Sequence, residues 1–196
     1  MHYDGALTRE QFMLREMRIV AGLRQAGLSD EEILEKTRAE NLFQYPTGRE
    51  TGSKCRACLK RMAFLADMPE ILCALTEGTA EEAQLAALIA MMGCSRLLTE
   101  FMVTTVAEKY RTLEYRLEAR DVNLFLMRLG EQDAGVAAWS ARTVVKIRQV
   151  ILHTLRAAGL LSERGELLPV CLPEDFGRAL ARAGHGAFLP GLNEWE

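Results

Sequence analysis

The side chains with the greatest intrinsic reactivity are five cysteines, Cys55, Cys58, Cys73, Cys94 and Cys171, which form one CxxC pair and no second one. A structural zinc site needs four ligands, and an odd cysteine count does not make a disulfide framework. If the segment is helical, Cys55, Cys58, Leu59 and Met62 fall at i, i+3, i+4 and i+7, the spacing of one buried face. The pair is therefore expected in a core, with metal or redox chemistry as the competing reading. Histidine offers little more. His2 and His185 lie near the ends of the sequence, and His153 stands among basic residues without a carboxylate to orient it as a general base. No GxxxxGK[ST], HExxH, GxSxG or GxGxxG pattern occurs, so no phosphate loop, zincin site or nucleophile elbow can be assembled. No catalytic residue, metal or cofactor is expected.

The chemistry that remains is ionic. Lys54, Arg56, Lys60 and Arg61 fall on a third helix, away from the cysteine face. Farther on, Arg142, Lys146, Gln149, His153 and Arg156 recur at i, i+4, i+7, i+11 and i+14, and no Asp or Glu occurs between Ser140 and Ala158. Such a stripe can follow a groove. Lys and Arg neutralise phosphates and release counterions, while Gln149 and His153 can hydrogen-bond to base edges in a major groove. The competing reading of each face is an ordinary solvated surface.

Helices must position these residues. The 196 residues carry 49% hydrophobic side chains, enough for a sizeable core in one domain or two small ones. A net charge of -3 excludes a histone-like polycation, so any nucleic-acid surface must come from segregated charge. The longest uncharged stretch, Ala83 to Ser95, is short of the roughly 18–20 apolar residues of a membrane span. The start shows no secretory signal, and a cytoplasmic location is expected. A first helix should begin near Thr8 and stop at Gly27. Ser29 with Glu32, and Thr79 with Glu82, have capping-box spacing. A loop with Pro46 precedes the third helix, expected from about Ser53 to Ala66. Pro69 suits a first helical position, and the apolar run Ala83 to Cys94 should be the central core helix. Glu108 to Asp121, with both charge signs, reads as solvated surface. After two shorter helices, Ser140 caps the long basic one, with Val144, Ile147, Ile151, Leu155 and Ala158 as its apolar face. Gly159 can end that helix, and Arg164-Gly165 suggests the turn of a short β-hairpin. The fold is thus expected to be mainly α in three segments. These are a helix-turn-helix-like part over 1–68, a central helical core over 69–120, and a winged-helix-like part over 121–196 with one β-hairpin, whose Arg164 joins the binding face.

Glu108-Lys109-Tyr110-Arg111-Thr112-Leu113, then Arg120-Asp121 with Phe125, then Trp139-Ser140 leading to Lys146-Ile147-Arg148-Gln149-Val150 and Ala158-Gly159-Leu160-Leu161 closely resemble the BrxA family of bacterial BREX (bacteriophage exclusion) systems. Glu16, Arg18-Ile19, Gly27-Leu28-Ser29 and Glu40-Asn41-Leu42 extend the resemblance over nearly the whole chain. The resemblance implies a small non-enzymatic component of a phage-defence operon that binds double-stranded DNA. Its associates would be other BREX proteins, namely a methyltransferase, an ATPase and a phosphatase-like protein, with no membrane involved. The alternatives are a protein-protein adaptor of the defence complex, whose basic faces meet acidic partners, and an RNA-binding protein, since the family is similar to an antitermination factor. The loop Phe43 to Gly52 carries fewer basic residues than the resemblance implies.

Overall fold

A computed structural model describes Tyr3, Gly5–Thr8 and residues 11–195; His2 lies outside the described residues. The helices are α1 (Leu14–Gln25), α2 (Asp30–Ala39), α3 (Gly48–Phe64), α4 (Pro69–Glu77), α5 (Ala80–Cys94), α6 (Arg96–Phe101), α7 (Ala107–Arg111), α8 (Ala119–Gln132), α9 (Ala134–Ala137), α10 (Ala141–Ala157) and α11 (Glu174–Arg182). A π-helical turn, Met102–Val106, joins α6 to α7, and 3-10 turns occupy Gly5–Thr8 and Gly186–Leu192. The mainly α expectation holds. The chain divides into two compact units, Met13–Cys94 and Met1–Phe12 with Ser95–Glu196. Within Met13–Cys94, α4 and α5 pack on α1 and α3.

In the unit Met13–Cys94, the two capping boxes form as their spacing requires. The Ser29 side chain accepts from the Glu32 amide while the Ser29 amide donates to Glu32 Oε2 at 2.8 Å. These bonds favour the charged form of Glu32 and lower its pKa. The Thr79 amide likewise donates to Glu82 at 2.7 Å. Pro69 takes the first turn of α4, where its missing N–H leaves no bond unmade. Helix α3 starts earlier than expected because Thr47 caps it, accepting from the Glu50 amide at 3.2 Å. Helix α1 starts later, at Leu14, after Met13 turns left-handed with φ 52°. Helix α5 is apolar all round, with Leu88, Ile89 and Ala90 fully buried. Residues 40–47 separate α2 from α3, a longer link than the roughly three- to four-residue turn of a helix-turn-helix.

In the other unit, α8 packs on α9 and α10. Ser140 caps α10 by accepting from the Thr143 amide at 3.2 Å. Gly159, at φ 76°, closes it in the left-handed conformation that glycine adopts without a Cβ penalty. The expected hairpin is present only in outline. Leu161 and Leu167 form one antiparallel bridge and Arg116 and Glu166 another, and among the described residues no strand forms. The Ser162 amide donates to Glu166 O at 2.8 Å and the Leu168 amide to Leu160 O at 2.9 Å across the turn. The side facing away from residues 160–162 is taken by residues 115–117, with the Leu117 amide donating to Gly165 O at 2.9 Å. Each pairing is one or two residues long, too short to propagate a ladder.

Candidate nucleic-acid interface

Helix α10 separates its two faces cleanly. Ile147, Val150, Ile151, Thr154, Leu155 and Ala158 are buried, whereas Arg142, Lys146, Gln149 and His153 are exposed. At about 3.6 residues per turn, the stripe lies opposite the buried row. Arg156, at its end, is half-buried, with Nε 3.8 Å from the exposed Glu163 carboxylate. Arg164 is exposed at the turn that follows, where Gly165 takes φ 81°. The structure therefore brings Arg142, Lys146, Gln149 and His153 onto one face and sets Arg156 and Arg164 at and beyond its C-terminal end. Arg148 points elsewhere and donates to Asn123 Oδ1 on α8 at 3.2 Å, tying the two helices together.

The segment 108–121, expected as solvated surface, contains the groups that hold this region. Lys109 is 6% exposed, with its Nζ 3.0 Å from Glu114 and 3.6 Å from Asp121. Asp121 also accepts from the Glu118 amide at 2.7 Å, closing the first turn of α8. Tyr110, also buried, donates its hydroxyl to Leu168 O at 2.8 Å. Burial pushes that hydroxyl well above its ordinary pKa, so it remains a donor. Two adjacent residues of α7 thereby fasten both α8 and the segment beyond the 162–166 turn. The mixed charge was a poor guide because a lysine with two carboxylate partners can be buried where a single lysine cannot.

The face on α3 needs one correction. Arg56 and Lys60 are exposed and Lys54 is half-buried, but Arg61 is fully buried, with Nη1 3.7 Å from Met17 Sδ. Arg61 sits three residues after Cys58, on the edge of the same buried face. Helix α3 packs on α1, α2 and α5, so more than one side of it is covered. Cys55 and Cys58 are fully buried, as their spacing required. Burial raises both thiols, Cys58 to about 12. Among the described residues no group of three or more His, Cys, Asp or Glu could hold a metal ion, and no single helix is long and apolar enough to cross a membrane.

Fold and surface together define a two-unit, mainly helical protein with outward-facing basic side chains on α10 and on α3. The chain belongs to the BrxA family, whose model matches residues 1–184, and BrxA is a component of BREX phage-defence systems. It is 28% identical over 162 residues, 83% of this chain and 80% of the relative, to the BREX protein BrxA of Bacillus cereus (strain H3081.97). Its fold is similar to that of the crystal structure of an uncharacterized protein from Magnetospirillum magneticum, with a TM-score of 0.81 and 20% identity over 98% of each chain.

Proposed function

We propose that this chain is a non-enzymatic, duplex-DNA-binding member of a BREX system, with α10 as the helix that enters the major groove. The observation that carries this reading is the acid-free face of α10, exposed along its length while the opposite face is buried. The order of elements supports it: α7, the short segment 115–117, α8, the one-turn α9, α10 and the paired turn 160–168 resemble the succession of a winged helix-turn-helix, with α9 in the link between its two helices. Arg164 then stands at the wing, and Lys54, Arg56 and Lys60 on α3 add a second basic surface. Phosphate contacts supply most of the affinity of such a surface and make it salt-dependent.

The adaptor reading has its own support in the exposed apolar side chains Leu124 and Met127 on α8, 45% and 56% exposed. Other BREX proteins are the partners to test for that face. A salt titration of binding to a duplex fragment separates the readings. With Arg142, Lys146 and Arg164 on phosphates, log affinity should fall against log salt with a slope of about 2.7, at roughly 0.9 per phosphate. Arg142→Ala with Lys146→Ala should flatten the slope by about 1.8. Unchanged affinity and slope in that folded double variant would remove α10 from the interface.

A further inference from the structure

The stripe on α10 has a neighbour that lies far from it in sequence. The N-terminal segment is fastened to the unit containing α10. Tyr3 is buried, its hydroxyl donates to Glu100 and its ring lies beneath the Arg96 guanidinium at 4.1 Å. The 3-10 turn Gly5–Thr8 packs on α10, and Leu7 and Phe12 are both buried. Gln11, between these two anchors, is exposed. It lines, with Lys146, Gln149, Val150 and His153, a depression of about 280 Å³. On α10 those four fall at i, i+3, i+4 and i+7, so one helical face forms one wall, and the end of the N-terminal segment forms the other.

The composition of this depression is selective. Among the described residues Val150, 5% exposed, is the only apolar one lining it and no carboxylate does, and each of the other four side chains can donate a hydrogen bond. One ammonium with two carboxamides and an imidazole around a concave seat suits a tetrahedral oxyanion rather than a cation or an apolar group. Lys146, Gln149 and His153 belong to the exposed stripe of α10, so an oxyanion held there lies on the face that meets the backbone in the duplex-binding reading.

We infer that Gln11, Lys146, Gln149 and His153 form a seat for one phosphate group of the nucleic-acid backbone, with the N-terminal segment completing the interface. This inference rests on the duplex-binding reading for the source of the phosphate, and inorganic phosphate is the other source of the same chemistry.

Gln11 is neutral, so its loss should weaken binding without altering counterion release. Gln11→Ala should lower duplex affinity about three- to tenfold with an unchanged salt slope, whereas Lys146→Ala should flatten the slope by about 0.9. Gln11→Glu, which places a carboxylate in the seat, should lower affinity more than tenfold. Gln132→Glu on α8, which adds the same charge outside the depression, is the control and should leave affinity within twofold. Thermal unfolding of each variant verifies the fold. In parallel, inorganic phosphate is titrated into the DNA-free protein and followed by NMR shifts of the His153 ring and the Gln11 and Gln149 carboxamides. Wild-type affinity in Gln11→Ala and Gln11→Glu, with Lys146→Ala still weakened, would overturn the seat and leave duplex binding intact. Failure of the wild-type protein to bind duplex would overturn the functional reading and the backbone source together. Localised phosphate shifts lost in Gln11→Glu would then retain an oxyanion seat, and their absence would overturn it too.

Discussion

The ion pairs of Lys109 permit a quantitative test of what holds α7 to α8. The perturbation is Lys109→Met, which keeps the length of the aliphatic stem and removes the ammonium. Glu114, with 58% of its side chain exposed, can return to water, and its pairing is worth at most about 1 kcal/mol. Asp121, with 14% exposed, cannot rehydrate as fully, and it keeps only the Glu118 amide at 2.7 Å. Stranding one member of a well-buried pair costs about 3–5 kcal/mol. Partial exposure and the surviving cap bond reduce this to about 2–3 kcal/mol. For a chain of this size, about 2–4 °C of melting temperature follows each kcal/mol, so Lys109→Met should melt some 5–10 °C lower. Asp121→Asn should cost about 1–2 kcal/mol by leaving the ammonium with Glu114 alone. The double variant should be more stable than the sum of the two losses by about 1–2 kcal/mol, because no charge is then stranded. Melting followed by circular dichroism gives all four corners of the cycle. Additive losses, or a Lys109→Met protein that melts with the wild type, would refute the view that this buried lysine is held by Asp121.

Arg61→Ala should cost about 3–5 kcal/mol, as a long buried side chain is removed, while the salt slope of duplex binding by the remaining folded protein stays unchanged; a flattened slope would return Arg61 to the interface. At Gly191 an added Cβ would lie 3.0 Å from the backbone of Met102 in the π-helical turn, so Gly191→Ala should destabilise by about 1–3 kcal/mol, read as a lower melting temperature. The thiols should divide by burial: an alkylating reagent at pH 8 should label exposed Cys73 and Cys171 and spare Cys55 and Cys58 until denaturant is added. Because the folded Cys58 pKa lies above its unfolded value of 9.0, reaching about 12, the unfolded chain holds fewer protons across that interval. Stability should therefore fall as pH rises from about 9 to 12, and Cys58→Ala should remove that component from the alkaline melting profile.

Features governed by local chemistry were readable from residue order. Ser29 with Glu32, Thr79 with Glu82, and Ser140 act within one helical turn, and the apolar run of α5 needs a core whatever its neighbours are. The two faces of α10 were readable for the same reason, since every member lies on one helix. Arg61 was readable in part, by its three-residue spacing from Cys58, but the number of helices covering α3 is a tertiary quantity. Lys109 was hidden because its main buried partner, Asp121, approaches only after the chain turns back through Leu113, a non-glycine residue at φ 58°. Gln11 had no local signal at all, because its neighbours on α10 begin at Lys146 and only the packing of the N-terminal segment brings them together. The hairpin was readable as a turn through Gly165, but not as one or two paired residues sharing the segment 115–117.

The grouping of residues 1–12 with residues 95–196 has a consequence for the order of assembly on the ribosome. The helices of 13–94 are contiguous and can close their core as soon as α5 has emerged. Tyr3, Leu7 and Phe12 are synthesised before those helices yet find their places only after α6 and α10 have been made. At about 5–20 residues per second, the roughly 145 residues between Phe12 and the end of α10 take on the order of 7–30 s. During that interval these apolar side chains stay exposed beside a finished bundle. The segment containing Leu7 and Phe12 is therefore a natural place for a chaperone to bind, and its docking on α10 follows closure of the 13–94 core.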